Sequence, residues 1–78
     1  MPLPTPDREL LLLWSQAWRY PGIRDQRVLE ATGLHPTQAA QRVNMLIDTQ
    51  AALEALPVEV NRLRRIRAQG QRSRRVEA

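Results

Sequence analysis

Seventy-eight residues with no cysteine and a single histidine exclude a disulfide framework, thiolate chemistry and a transition-metal cluster of the His/Cys type. The formal net charge of +4 is carried on the basic side by arginine alone and is uneven: five Arg stand against seven carboxylates in residues 1–59, and seven Arg against one Glu in residues 60–78. This length allows one small domain near the lower limit for an unstapled core, and the longest apolar run, Leu10 to Trp14, is too short for a membrane span or a signal-peptide core. The expectation is a soluble cytoplasmic protein, to which a homodimer would supply additional core.

Pro2, Pro4 and Pro6 oppose helix before Thr5, so residues 1–5 read as an unstructured lead. Thr5 is a suitable N-cap, Pro6 fits the first helical position, and Asp7 and Glu9 complement the helix dipole. A first helix from about Pro6 to Arg19 gathers Leu10, Leu11, Leu13, Trp14, Ala17 and Trp18 on one broad apolar arc. Leu12 falls opposite, beside Arg8, Gln16 and Arg19. It is either ordinary surface or a self-association contact.

Tyr20-Pro21-Gly22 turns the chain, and a second helix from about Ile23 to Thr32 places Val28, Leu29, Ala31 and Thr32 inward. Thr32-Gly33-Leu34-His35-Pro36 follows. Gly33 sits where a left-handed residue ends a helix, and Pro36 suits the first turn of the next. The third helix, Pro36 to Ile47, gathers Ala39, Ala40, Val43, Leu46 and Ile47 inward and Thr37, Gln38, Gln41, Asn44 and Met45 outward, with Arg42 on the border. Asp48 caps a short fourth helix carrying Ala51, Ala52, Leu53, Ala55 and Leu56. Pro57 restarts the chain into a fifth helix, Val58 to Gln69, whose narrow stripe of Val60, Leu63 and Ile66 is flanked by arginines. Gly70 ends it. No repeat or strand period appears, so the chain reads as a small all-α helix-turn-helix domain of four to five helices over residues 6–69, followed by a basic disordered tail over 70–78.

Two amphipathic helices joined by a glycine turn also occur in bundles that bind no nucleic acid. Here no carboxylate lies between Pro36 and Ile47, so the third helix suits a major groove. Thr37, Gln38, Gln41, Arg42 and Met45 are the candidate base-reading residues, with Gln matched to adenine and Arg to guanine. His35, Arg62, Arg64, Arg65, Arg67, Arg72, Arg74 and Arg75 are candidate phosphate ligands, although a charge run of this kind also serves simply as a solvated helix face. Double-stranded DNA is the expected partner, in the nucleoid, for a transcriptional regulator or nucleoid-associated factor. The rival is an adaptor or inhibitor that binds an acidic protein, whose cue would be an apolar patch exposed around Leu12 or Met45. RNA is a third option, disfavoured by the lack of an exposed aromatic platform. No phosphate loop, metal-ligand spacing or activated nucleophile is present in the sequence, so neither an enzyme nor a cofactor or small-molecule substrate is expected.

At Ala17-Trp18-Arg19-Tyr20-Pro21-Gly22, Gly33-Leu34, Asn44-Met45-Leu46-Ile47-Asp48, Ala52-Leu53 and Val60 through Arg67, the sequence resembles a family of short actinobacterial and actinophage proteins of unknown function. The resemblance spans roughly Asp7 to Arg75 and implies a helix-turn-helix-like domain. Ala17 and the pair Ala39-Ala40 stand where that family tends to carry aromatic residues, and Arg42 where an apolar residue is usual.

Overall fold

A computed structural model describes residues 2–77, with side chains described as far as Gly70. The architecture is all-α: α1 Thr5–Ser15, α2 Pro21–Thr32, α3 Pro36–Leu46, α4 Gln50–Ala55 and α5 Pro57–Glu77. α1 is the hub, packing on α2, α3 and α5, while α2 meets α3 and α4 meets α5. The core joins Leu10 and Leu11 of α1 to Val28 of α2, Val43 and Leu46 of α3, and Val60 and Leu63 of α5. No helix among the described residues is long and apolar enough to cross a membrane.

Prolines set three of the starts. Pro21, Pro36 and Pro57 each open a helix, where the missing N–H would have had no intrahelical partner. α1 begins one residue earlier than its sequence suggests. Pro4 occupies the cap position and Thr5 makes no capping hydrogen bond, while the N–H of Arg8 donates to the Pro4 carbonyl at 3.0 Å.

α1 also stops at Ser15, four residues short of the expected Arg19. The Ser15 hydroxyl donates to the Leu12 carbonyl at 3.2 Å, and the Trp18 indole N–H turns back to donate to the Leu13 carbonyl at 2.6 Å. Trp18 thus satisfies a helix end instead of extending the apolar arc. Four other expectations shift with this packing. Because α1 is surrounded by three helices, Leu12 is half-buried against the core and not an exposed leucine. α2 buries only Val28, leaving Leu29 40% exposed. Ala40 of α3 is exposed, and Ile66 of α5 is 53% exposed.

Thr49, rather than Asp48, caps α4, its hydroxyl oxygen accepting from the Ala52 N–H at 3.2 Å. Leu56 leaves helical geometry before Pro57, as the steric clash with a following proline favours. The backbone of α5 then continues through Gly70 to Glu77, beyond the helix end expected at that glycine. The side chains of Arg72, Arg74 and Arg75 lie outside the described residues.

Candidate nucleic-acid interface

The turn between α2 and α3 is built by backbone chemistry. Gly33 adopts φ 75°, ψ 6°, a left-handed conformation that glycine takes without the steric penalty of a Cβ. Its N–H donates to the Leu29 carbonyl at 2.8 Å. The Thr32 hydroxyl donates to the Val28 carbonyl at 2.7 Å and accepts from the Leu34 N–H at 3.2 Å. Leu34 packs against the core. His35 is then extended at the cap of α3, and the Gln38 side-chain oxygen accepts from its N–H at 3.2 Å, the reciprocal half of a capping box.

α3 buries Ala39, Val43 and Leu46. Its other face presents Thr37, Gln38, Gln41 and Met45 to solvent, Met45 being 51% exposed. Of the five candidate base readers on this helix, four share this exposed face. Gln38 is partly committed to the cap through its side-chain oxygen.

Arg42 has an internal partner. Its Nε and Nη2 donate to the two carboxylate oxygens of Asp7 at 3.1 and 2.9 Å. Asp7 is itself buried, and the pair ties the first turn of α1 to the middle of α3. Hydrogen bonding to that carboxylate, seconded by its charge, raises the Arg42 pKa above its ordinary value.

Two of the expected phosphate ligands are likewise engaged inside the fold. Arg64 Nε donates to the Ile47 carbonyl at 2.6 Å, meeting one of the acceptors that the end of α3 leaves without an intrahelical donor. Arg67 donates from Nη1 to Asn44 Oδ1 at 2.9 Å and grips Asp48 through both terminal nitrogens. The Arg67 hydrogen bonds are the main cause holding the Asp48 carboxyl below the usual carboxylate range. Arg64 and Arg67 therefore fasten α5 to the end of α3, a role that their position in a basic run conceals. Arg62 and Arg65 are exposed and have no hydrogen bond or ion pair among the described residues, and His35 is exposed at the turn.

Sequence reasoning missed Asp7, which lies 35 positions from Arg42 and in a sequence is simply a favourable residue for a helix start. It also missed that Arg24 stacks over Trp14, its guanidinium carbon 4.0 Å from the ring centroid. Below that tryptophan an open apolar groove of about 180 Å³ runs between α1, α3 and α5, lined by Trp14, Ala40, Val43, Ile47, Leu63 and Ile66 and edged by Asn44 and Arg67. A second groove, of about 320 Å³, lies over Glu9, Leu12, Leu13 and Ala31. No group of three or more potential metal ligands occurs among the described residues.

No curated protein and no solved structure matches the chain. A family described as a protein of unknown function (DUF3263) matches residues 2–75, nearly the full sequence and every helix start described above. The chain belongs to that family.

Proposed function

We propose that this chain is a small DNA-binding protein, a transcriptional regulator or nucleoid-associated factor, that lays α3 in the major groove with α2 bracing it. The observation that carries the reading is the outward face of α3. Thr37, Gln41 and Met45 are exposed on it, no carboxylate interrupts it, and a glycine-specified turn, Asp7 and Arg67 fix the helix in place. Gln41 can donate and accept toward an adenine edge, Thr37 sits where a backbone or base contact is reached early in a helix, and Met45 offers an apolar contact for a thymine methyl. Arg62 and Arg65, with Arg72, Arg74 and Arg75 beyond them in sequence, supply the sequence-independent attraction to phosphates. A homodimer would present two such helices to successive half-sites.

The test is selection of bound duplexes from a randomised pool with the native chain and with Gln41→Ala. The reading expects a recovered preference that Gln41→Ala relaxes at one or two positions. An unchanged preference removes Gln41 from the reading surface, and no recovered sequence from the native chain removes sequence-specific recognition.

The half-exposed Met45 and the apolar groove beside Ile66 favour a second reading, an adaptor or inhibitor that docks on an acidic protein. It is the reading that stands if the chain binds no duplex at low salt.

A further inference from the structure

The Asp7–Arg42 pair is unevenly exposed. The aspartate side chain keeps 11% of its accessible surface and the arginine side chain 43%. Asp7 takes the Nε and one Nη2 hydrogen of the guanidinium, yet an arginine carries five N–H donors in one rigid plane. The end of the fork, formed by Nη1 and the second Nη2 hydrogen, stays free of other partners among the described residues. Asp7 is fixed because it belongs to the first turn of α1, the helix on which the others pack. The carboxylate is covered while the cation is not, so an approaching anion meets the positive side of the pair. Around it on α3 stand Gln38, Gln41 and Met45, all exposed and none acidic.

We propose that Arg42, held by Asp7, is a clamp for a backbone phosphate of duplex DNA at the margin of α3, with Asp7 as its positioning residue. The inference rests on the DNA-binding reading and names an anion site within it. Two adjacent oxygens of a phosphodiester match the free end of a guanidinium fork. The border position of Arg42, between the buried and outward arcs of α3, places it beside the groove wall rather than over its floor. Because the carboxylate already fixes the side chain, little rotamer freedom remains to be lost on binding.

The clamp reverses the sign that charge alone predicts. Removing the negative charge of Asp7 should tighten DNA binding if only net charge matters, and weaken it if Asp7 presents Arg42. The experiment titrates the full chain, Asp7→Asn, Arg42→Lys and Arg42→Ala into random-sequence duplex across a salt series, with helical signal and melting curves recorded for each. Losing one phosphate contact should weaken binding roughly five- to ten-fold at 0.1 M salt and lower the salt slope by about one. The expected result is that loss for Arg42→Ala, most of it for Arg42→Lys despite its retained charge, and weaker binding for Asp7→Asn. Folded Asp7→Asn binding as tightly as the native chain or more tightly, or Arg42→Lys matching it, overturns the clamp and leaves the DNA-binding reading standing. If Asp7→Asn does not fold, Arg42→Lys decides alone. Unchanged binding of Arg42→Ala to random duplex, with preference for guanine lost at one position when the variant is put through selection of bound duplexes from a randomised pool, makes Arg42 a base reader and overturns the phosphate assignment. No binding by the native chain at low salt overturns the parent reading and the clamp with it.

Discussion

Arg67 on α5 and Asp48, just beyond α3, meet in a two-point ion pair with Nη1–Oδ2 at 3.1 Å and Nη2–Oδ1 at 2.9 Å. The same guanidinium reaches Asn44 Oδ1, so one side chain fastens the last turn of α3 to the basic helix. Since the Asp48 carboxyl is lowered in the folded protein, chiefly by Arg67, the pair stabilises the fold above the unfolded carboxylate pKa of about 3.9 and loses that contribution as pH falls through the lower folded value. Asp48 is 59% exposed at its side chain, so the effect is small. Asp48→Asn should reduce the melting temperature slightly at neutral pH and flatten its decline between about pH 5 and pH 3. An acid limb identical to that of the native chain would remove Asp48 from the account.

Trp18 acts through its indole nitrogen. Phenylalanine at this position keeps a ring but loses the 2.6 Å donation to the Leu13 carbonyl. Trp18→Phe should cost about 1 kcal/mol in urea unfolding, with faster amide exchange in the last turn of α1. Stability equal to the native chain would mean that the ring alone matters.

Gly33 has a backbone requirement and no packing requirement. A Cβ there would meet nothing within 4 Å, while φ is 75°. Gly33→Ala should therefore destabilise by about 1–2 kcal/mol through backbone strain alone, and Gly33→Asn by less, because asparagine tolerates the left-handed region. Equal losses for the two variants would point to a different cause.

Leu11 is fully buried at the centre of α1. Leu11→Ala should remove about 2–5 kcal/mol, which is comparable to the whole stability expected of a domain this small. Circular dichroism at 37 °C should show a largely unfolded chain, and a cooperative melt near that of the native chain would contradict the hub role of α1.

What could be read from the sequence was local chemistry. Pro36 and Pro57 announce helix starts, Gly33 announces the left-handed turn, and the alternation of Ala39, Val43 and Leu46 with Thr37, Gln41 and Met45 gives α3 its two faces. What could not be read depends on partners distant in the chain. The helical period runs on past Ser15, so only the Ser15 and Trp18 hydrogen bonds reveal where α1 stops. Leu12 looks exposed on an isolated helix and is half-buried because α1 has three neighbours. Arg64 and Arg67 resemble Arg62 and Arg65 in sequence, and only the positions of the Ile47 carbonyl, Asn44 and Asp48 separate the arginines that hold the fold from those with no hydrogen bond or ion pair among the described residues. The charge of a basic helix therefore overstates what it can offer to phosphate.

The proposed DNA binding is tested by titrating the purified chain into random-sequence duplex DNA at several salt concentrations, beside Arg62→Ala/Arg65→Ala and a chain ended after Gln69. Binding should weaken steeply with salt, with a slope of about −0.9 for each phosphate neutralised, and the slope should be shallower for both altered chains. Absence of binding at the lowest salt, from a chain whose helical signal is intact, would contradict the DNA-binding reading.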